Sequence, residues 1–351
     1  MWCYVPTVRQ FTLIHSTMKV NICSETDLFN IHGEGVSTSF ETCVELMRET
    51  NGLQVFVNNE GIGDVMHCHT YGPYFFLRGL RYKGKKIHTA HVIPDSARGT
   101  FPGWQFLMPF FKWYLKKVYS FADVCIAISP MVEKAIKDLN ADTKIVSISN
   151  PILLSTWKRT PELRKKGREM LGLKDDDFCV MGVGQLETRK GCEDFVNIGR
   201  QIPDAQFRWI GGRPFGIYTD GYFSINKQIE TAPDHIKFPG IFPLSKMPAL
   251  YAAGDLFIFP SYQENCPLAP IEAAASGMPV VYRNLEEYKL LYRNPYLNVE
   301  NNAQFVAAIQ EMKSSQSTYQ KGVAISEKLI SQFDKNVIKK QLMELYEGLS
   351  N

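Results

Sequence analysis

Residues 260–279 read PSYQENCPLAPIEAAASGMP, and this stretch decides how the rest of the chain is interpreted. The apolar run 255–259 before it and Val280 after it have strand character. Residues 271–275 are strong helix formers, and the glycine at Gly277 ends the run. The stretch therefore predicts a strand, a loop, a helix and a second strand.

Two glutamates, Glu264 and Glu272, lie eight residues apart in this stretch. We expect Glu264 in the loop that faces the helix N-terminus, and Glu272 about two turns later on the helix. Ionised carboxylates only accept hydrogen bonds, and the first helical turn has free backbone N–H groups. Such a site can hold a polyol on the carboxylates and an anion on the amides. Two solvated glutamates on a surface helix are the alternative.

The complete pattern is Glu-x7-Glu with proline in the loop and Glu-Ala-Ala-x-x-Gly-x-Pro on the helix. It resembles the donor site of retaining glycosyltransferases of family 4, the glycosyl transferases group 1. The resemblance covers most of residues 18–349 and is strongest over 184–279. It implies an α/β fold of the GT-B type, in which two Rossmann-like doubly wound domains face a central cleft. It also implies sugar transfer from a nucleotide sugar, with no metal and no separate cofactor.

The length of 351 residues suggests about two domains. Residues 1–17 have no clear signal-peptide features and are interpreted as an extension of unclear role, with a packed extra segment as the alternative. We assign 18–155 to an N-terminal domain that faces the acceptor and the membrane. Residues 156–330 form the C-terminal, donor-binding domain. Residues 331–351 form a helix that crosses back to the N-terminal domain, as the terminal helix does in this fold.

Composition excludes several classes of protein. The formal net charge is only +3, so charge balance does not predict nucleic acid as a partner. None of the eight cysteines lies in a C-x-x-C pair, which favours reduced thiols in a cytosolic protein over disulfides or a zinc site. No apolar run is long enough to span a bilayer. We therefore expect a cytoplasmic protein, and the aromatic and basic segment described below, together with the resemblance, predicts that it is peripheral on the cytoplasmic face of the membrane.

The chain repeats a strand-then-helix rhythm, which predicts parallel sheets with helices on both faces. Ligands of such sheets bind beyond the carboxyl ends of the strands. In the first half, strands are predicted at 19–23, 53–57, 64–68, 86–91, 123–129 and 144–148, and helices at 37–50 and 131–139. In the second half, strands are predicted at 178–183, 206–210 and 236–242, and helices at 193–202 and 334–349. The basic segment 157–168 is interpreted as a solvated helix start or linker.

Two loops of the first half contain candidate ligands. His67 and His69 would share one face of a strand, but no third ligand of suitable spacing is evident, so we predict no metal. His91 ends an apolar strand, and it matches the position where the family often has a histidine close to the donor sugar. A satisfied structural histidine is the alternative for His91.

The glycine-rich loop before the first long helix contains Gly33 and Gly35. Glycines let backbone amides approach an anion, although an ordinary turn explains them equally well. The resemblance implies that this loop lies near the donor phosphates.

Residues 101–119, from Phe101 to Tyr119, combine two tryptophans, four phenylalanines and two tyrosines with Lys112, Lys116 and Lys117. Aromatic rings and lysines on an amphipathic helix suit an anionic membrane surface. A core helix whose lysines extend outward is the alternative. Together with the resemblance, the pattern favours membrane contact.

The turn after strand 178–183 contains Gly184, Arg189 and Lys190, followed by a helix. Arginine can grip two oxygens and lysine supplies a point charge, so this turn suits a diphosphate. A surface turn with two solvated cations is the alternative. In the family the matching turn carries an arginine and a lysine for the diphosphate. Lys190 falls on that lysine, but Gln185 takes the usual place of the arginine, and Arg189 is the possible substitute.

The resemblance also gives roles to the remaining donor-site residues. Gly240 and Ile241 would meet the nucleobase, and Glu272 the ribose hydroxyls. Glu264 would hold the sugar hydroxyls together with the backbone of Asn265, Cys266, Pro267 and Leu268. The predicted catalytic group is His91 near the sugar, Glu264, Arg189 and Lys190.

Residues 188–191 followed by 203–209, and residues 216–221, further resemble bacterial glycolipid glycosyltransferases, which add hexoses to diacylglycerol or monoglycosyl-diacylglycerol. We therefore predict hexose transfer from UDP-glucose or UDP-galactose to a lipid acceptor, with retention at the anomeric carbon. One alternative is a soluble family 4 enzyme for a polysaccharide or small molecule. The other is a catalytically weak sugar-nucleotide-binding partner subunit, a reading that Gln185 and Cys266 support.

Overall fold

Parallel strands and helices alternate along the chain. The computed structural model describes residues 17–28, 35–70, 72–97, 104–213, 216 and 219–350. Within these residues, twelve strands form two six-stranded sheets in which every pairing is parallel. The first sheet contains β1 (Met18–Cys23), β2 (Leu53–Val57), β3 (Val65–Cys68), β4 (Lys85–Ala90), β5 (Val124–Ala127) and β6 (Lys144–Ser147). The second contains β7 (Cys179–Val183), β8 (Gln206–Ile210), β9 (Ile236–Gly240), β10 (Leu256–Phe259), β11 (Val280–Arg283) and β12 (Leu297–Val299).

The strand orders are β2-β1-β3-β4-β5-β6 and β12-β11-β10-β7-β8-β9. Each observed strand begins and ends within two residues of its predicted position where a prediction was made. The agreement has a simple cause, because strands buried on both faces are short, nearly continuous apolar runs. Strands β3, β5 and β10 are buried along their whole length. The predicted α/β architecture is confirmed.

Helices connect the strands on both faces of the sheets. They are α1 (Glu25–Leu28), α2 (Gly35–Arg48), α3 (Pro73–Gly79), α4 (Trp104–Ser120), α5 (Pro130–Asp138), α6 (Leu154–Trp157), α7 (Pro161–Leu171), α8 (Cys192–Gly199), α9 (Tyr222–Glu230), α10 (Met247–Ala253), α11 (Ala269–Ala275), α12 (Glu286–Leu291), α13 (Asn302–Ser314), α14 (Gln316–Ile330) and α15 (Lys335–Ser350). Among the described residues, no helix combines the length and the hydropathy needed to cross a membrane.

Buried side chains from both halves share one apolar core. Leu115 and Val132 from the first half belong to the same cluster as Tyr282 and Tyr288 from the second. Helices α5 and α12 pack against each other within this region. The loops at the ends of the two sheets are therefore brought together by a continuous core.

The last helix packs against the first sheet. Ile338 and Leu342 of α15 are buried in a cluster with Val20 of β1. The hydroxyl of Tyr346 lies 2.7 Å from Nδ1 of His67 on β3. The domain boundaries at residues 155 and 330 stay predictions.

The interpretation of 157–168 as a solvated helix start is correct only in part, because α7 begins at Pro161 and Lys165 and Lys166 are exposed, whereas other residues of the segment are buried. Trp157 is 6% exposed and Arg168 only 2%. Arg168 donates to the carbonyl oxygen of Ala253 (3.0 Å), and Arg164 donates to Asp255 (2.7 Å). These arginines meet the carbonyl end of α10, where a positive charge is favoured. A count of charges along the chain cannot reveal such partners, which lie almost ninety residues away.

Candidate active site

A tight contact joins the turn after β7 to the loop after β10. Gly191 has a φ of +73°, and a Cβ there would lie 2.3 Å from the carbonyl oxygen of Pro260. Only glycine allows this approach in a left-handed conformation. The contact holds the turn with Arg189 and Lys190 against the loop with Glu264, so the two motifs found separately in the sequence form one site.

Glu264 lies at the centre of this site and is 4% exposed. Lys190 Nζ donates to Glu264 Oε1 at 2.6 Å, and the Ser261 hydroxyl donates to the same oxygen at 2.6 Å. Arg189 Nη1 is 4.0 Å from Glu264 Oε2. The structure thus brings the predicted carboxylate and both predicted cations together. Ser261 is an additional partner that sequence reasoning missed.

The two cations have different surroundings. Burial lowers the pKa of Lys190, and the neighbouring Glu264 opposes that shift. Arg189 is fixed by Glu187 Oε2 (3.2 Å) and by the carbonyl oxygen of Gln263 (3.1 Å). Its Nε is buried and has no hydrogen-bond partner within the described part of the chain. The cluster therefore has cationic donors that are not all used within the protein, as a diphosphate site requires.

Glu272 lies in the first turn of α11, not about two turns along it, because the helix begins at Ala269. It is 8% exposed, and the Tyr251 hydroxyl donates to its Oε2 at 2.7 Å. Burial raises the pKa of Glu272 to about 7. At neutral pH the carboxyl group of Glu272 is therefore divided between its two protonation states. Hydroxyl donors from a ligand would favour the ionised form.

The loop from Asn265 to α11 reaches the first half of the chain. The Asn265 amide donates to the Ser96 hydroxyl (2.9 Å) and to the carbonyl oxygen of His91 (3.3 Å). Cys266, Pro267 and Leu268 are buried. Burial raises the pKa of the Cys266 thiol to about 12, so it is neutral. Side chains of these three residues pack inside the protein, so the predicted contact of this segment with the donor concerns its backbone and stays a prediction.

Glycines bring two more predicted loops together. Gly184 has a φ of +155°, and its carbonyl oxygen accepts from Trp209 Nε1 at 3.0 Å. Gly211 donates its N–H to the carbonyl oxygen of Gly240 at 3.0 Å, and a Cβ on Gly211 would lie 1.9 Å from the Gly184 oxygen. Ile241 is 71% exposed beside them. Gly35 is the first residue of α2, and Gly33 lies outside the described residues.

His91 belongs to a group of buried histidines at the ends of β3 and β4. Its Nε2 lies 3.2 Å from Nδ1 of His69, and the two rings stack with centroids 5.4 Å apart. Burial lowers the pKa of His91 to about 3, with His88 adding to the shift. Burial likewise lowers the pKa of His67 to about 3 and that of His69 well below its usual value. These imidazoles are neutral at physiological pH.

A possible metal-binding group lies in the same region. Ligand atoms of Cys43, His67 and His69 lie within 4.8 Å of one another. The sequence did not indicate Cys43, because it comes from α2 and reaches the histidines only through the fold. However, both ring nitrogens of His67 already have hydroxyl partners, Thr89 at 2.6 Å and Tyr346 at 2.7 Å. An ion would have to displace one of them. The prediction of no metal stays a prediction.

Several functional candidates gave no signal in the sequence. Tyr251 is 21 residues from Glu272, and Glu187 looked like an ordinary turn residue. Ser261 could have been found, since it lies in the decisive stretch and precedes Glu264 by three residues.

Two family models match this chain. The model described as "Glycosyl transferases group 1" matches residues 177–314, which include the cation–carboxylate cluster. The model described as "Glycosyltransferase Family 4" matches residues 62–155, which include His67, His69 and His91.

Curated relatives extend over most of the chain. An alpha-galactosylglucosyldiacylglycerol synthase from Streptococcus pneumoniae is 32% identical over 317 residues, covering 88% of this chain and 82% of the relative. A processive diacylglycerol alpha-glucosyltransferase from Acholeplasma laidlawii is 27% identical over 245 residues, covering 69% of this chain and 73% of the relative.

Solved structures share the fold at low sequence identity. HepE from Anabaena, solved in complex with UDP-glucose, matches with a TM-score of 0.73 and 17% identity, covering 95% of this chain and 100% of that one. Sucrose-phosphate synthase from Thermosynechococcus elongatus matches with a TM-score of 0.76 and 16% identity, covering 95% and 99%. The chain therefore belongs to the family 4 glycosyltransferases, the glycosyl transferases group 1, and has their GT-B fold.

Proposed function

We propose that this chain transfers a hexose from UDP-glucose or UDP-galactose to diacylglycerol or monoglycosyl-diacylglycerol, with retention at the anomeric carbon. The observation that carries the proposal is the buried cluster of Glu264, Lys190 and Arg189 between the turn after β7 and the loop after β10. The two relatives are named for galactosyl and glucosyl transfer in glycosyl-diacylglycerol synthesis, which supports the acceptor class.

In this proposal the cations act on the leaving diphosphate. The acceptor oxygen forms a bond to the anomeric carbon, and the bond from that carbon to the diphosphate breaks. Negative charge then grows on the diphosphate, and Lys190 and Arg189 are preorganised to stabilise it. The acceptor proton leaves with UDP or passes to water. Two fixed cations take the place of a metal ion, so the transfer requires none.

The glutamates are assigned to donor binding. Glu272 accepts from the ribose hydroxyls, which favours its ionised form over its protonated form. Glu264 holds the sugar hydroxyls while remaining paired with Lys190. Gly240 and Ile241 meet the base, and His91 meets the sugar or the leaving group. Neither glutamate is assigned as a nucleophile, since both have a binding role.

Helix α4 supports a membrane-held acceptor. Phe106 is 89% exposed, Phe110 63% and Trp113 54%, and they share one face of the helix at spacings of four and three. Lys112, Lys116 and Lys117 are exposed beside them. A core helix would bury these rings, whereas an anionic membrane surface would take both the rings and the cations. We therefore propose a peripheral protein on the cytoplasmic face of the membrane.

A transfer assay tests the proposal. Labelled UDP-glucose or UDP-galactose is incubated with the protein and anionic vesicles that contain diacylglycerol or monoglucosyl-diacylglycerol. We expect a labelled product that partitions into organic solvent, and the preferred donor and acceptor identify the step. If label were transferred only to a soluble sugar, the acceptor would be a soluble molecule and the proposed lipid acceptor would be wrong. Donor binding without any transfer, even after vesicle composition is varied, would support the partner-subunit alternative.

A further inference from the structure

The contact between His69 and His91 determines where His91 carries its proton. His69 Nδ1 and His91 Nε2 are 3.2 Å apart, within hydrogen-bond distance, and the rings are stacked at 27°. His69 is 3% exposed and His91 9%. Both rings are neutral, because burial strongly disfavours the charged form of each. One of the two facing nitrogens therefore donates the shared proton and the other accepts it.

The other nitrogen of His69 decides which one donates. His69 Nε2 is buried and has no hydrogen-bond partner among the residues that the structure describes. A buried N–H without an acceptor is rarer and more costly than a buried lone pair without a donor. His69 therefore leaves Nε2 unprotonated and carries its proton on Nδ1. That Nδ1–H donates to His91 Nε2, so the proton of His91 is on Nδ1.

The groups around His69 do not favour its charged, doubly protonated form. The titratable groups that face it are His67, His88 and His91, together with Cys43 of α2, and the Phe40 ring packs on its edge. Burial raises the pKa of Cys43 to about 12, so the thiol is neutral as well. Among the described residues, no carboxylate contributes to the pKa of His69, so nothing there favours an imidazolium ion.

We propose that His69 is a positioning residue that holds His91 in the Nδ1–H tautomer, with a hydrogen-bond donor on the nitrogen that His69 does not contact. This inference rests on the proposed role of His91 beside the donor sugar and diphosphate. There, a neutral N–H donor stabilises a sugar hydroxyl oxygen or the departing phosphate without adding a buried charge. The opposite tautomer would present a lone pair, which can accept from a sugar hydroxyl but would repel an oxygen of the departing phosphate.

Nitrogen-15 NMR of the histidine side chains in the full chain tests the tautomers without any need for activity. His91 is expected to show a protonated Nδ1 and a bare Nε2. His235 is an internal reference for the opposite tautomer, because its Nε2 lies 2.9 Å from the carbonyl oxygen of Gly199, which can only accept. A protonated Nε2 on His91 in the wild-type protein would overturn the assignment.

Two substitutions at His69 separate positioning from packing. In His69→Asn the side-chain amide can still donate to His91 Nε2, so the Nδ1–H tautomer and the rate of transfer are expected to persist. In His69→Leu the donor is lost, and we expect mixed tautomers at His91. The kcat should fall roughly tenfold with little change in the donor KM, which is the effect of one neutral hydrogen bond. If kcat fell equally in both variants while the tautomer of His91 stayed unchanged, His69 would act only through packing and the proposal would be wrong.

The NMR result also separates this inference from the proposed function. If the wild-type chain shows no transfer but His91 has the Nδ1–H tautomer and loses it in His69→Leu, positioning stands and the proposed reaction fails. If transfer occurs but the tautomer is Nε2–H, the reaction stands and positioning fails. Should His69→Leu not fold, the wild-type and His69→Asn spectra still decide the assignment.

Discussion

Two buried polar clusters of the molecule differ in charge. We call the cluster of Glu264, Lys190 and Arg189 the charged wall and the cluster of His67, His69 and His91 the neutral wall. In the second half, buried ionic groups are paired, as Lys190 is with Glu264 and Arg189 with Glu187. In the first half, His67, His69 and His91 are equally buried, but they remain neutral and bond to hydroxyls or to each other. One wall therefore carries fixed charges and the other carries neutral donors.

The two clusters differ in charge because their neighbouring groups differ. A buried charge is tolerated only with a partner of opposite sign and further hydrogen bonds, which Glu264 obtains from Lys190 and Ser261. Among the described residues, the histidines lie beside other histidines, the hydroxyls of Thr89 and Tyr346 and a neutral thiol, none of which is a carboxylate, so burial lowers their pKa. The charged wall suits the diphosphate, whereas the neutral wall can contact the sugar without competing for the cations.

The largest effect is expected for Glu272→Ala. It removes the carboxylate assigned to two ribose hydroxyls and leaves the Tyr251 hydroxyl without its partner. Transfer should fall by about a thousandfold or more, since hydrogen bonds to a charged group contribute roughly 1.5–3 kcal/mol each. Steady-state assays against UDP-hexose measure it. Glu286→Ala is the control, because that side chain is 83% exposed, and it should transfer normally. If Glu272→Ala transferred hexose at the wild-type rate, the assignment of Glu272 to the donor site would be wrong.

Breaking the ion pair tests the charged wall. Lys190→Met removes a cation from the diphosphate and leaves Glu264 buried with less compensation. We expect transfer to fall about a hundredfold, and the free energy of unfolding to fall by about 3 kcal/mol. Thermal and denaturant unfolding measure the second effect.

The double variant Lys190→Met/Glu264→Gln separates the two roles of this pair. It removes the uncompensated charge, so it should recover stability but not transfer. Recovery of transfer in the double variant, or no loss of stability in Lys190→Met, would contradict the role given to the pair.

As pH falls, the strands that carry the buried histidines should lose stability before the strands around Glu264 do. In the unfolded chain histidine titrates near 6.5, whereas in the fold the pKa of His67 and His91 is about 3 and that of His88 about 4. As pH falls below about 6.5, the unfolded chain binds protons that the fold excludes. The free energy of unfolding therefore falls by about 1.4 kcal/mol per pH unit for each such histidine.

Glu272 has the opposite dependence on pH. Its pKa of about 7 in the fold, above the usual 4.5, means that the fold gains stability as pH falls between those values. As pH falls from 7 to 5, protection from hydrogen exchange, corrected for the intrinsic exchange rate at each pH, should therefore decrease earlier in β3 and β4 than in β7 and β8. In Glu272→Gln the loss of global stability should be steeper. Earlier exchange in β7 and β8 would contradict the neutral state of the histidines.

The smallest effect concerns α4. Reversing Lys112, Lys116 and Lys117 to glutamate should weaken binding to anionic vesicles by at least about tenfold, since each cation near such a surface contributes about 1 kcal/mol. The effect should shrink as salt rises. Reversing the exposed Lys158, Lys165 and Lys166 of the second half changes net charge equally and should alter vesicle sedimentation little. If both sets of reversals weakened vesicle binding equally, the net charge of the protein and not α4 would account for the binding.

The sequence predicted what depends on local patterns. The buried strands are apolar runs, and the turn with Lys190 and the loop with Glu264 each follow such a strand, so topology alone brings them to one edge. The exposure of Phe106 and Phe110 also agrees with the membrane interpretation, although their spacing alone could not exclude a core helix.

What the sequence could not predict depends on distant partners. Tyr251 reaches Glu272 from α10, and Tyr346 reaches His67 from the last helix. Arg168 looked solvated because the carbonyl end of α10 is invisible in a charge count. The tautomer of His91 depends on a contact between two strands, β3 and β4, whose pairing no local pattern specifies.

UDP affinity measured by titration calorimetry on three proteins tests the difference between the walls most directly. The account predicts that Lys190→Met binds UDP at least about tenfold more weakly than the wild-type chain, because a charge-assisted contact to the diphosphate is lost. It predicts that His91→Ala binds UDP more tightly than Lys190→Met does yet transfers hexose more slowly than the wild-type chain, because a neutral donor contributes less to diphosphate binding than a cation and a contact with the sugar is absent from UDP. Equal UDP affinity in all three proteins, or weakened UDP binding in His91→Ala alone, would contradict it.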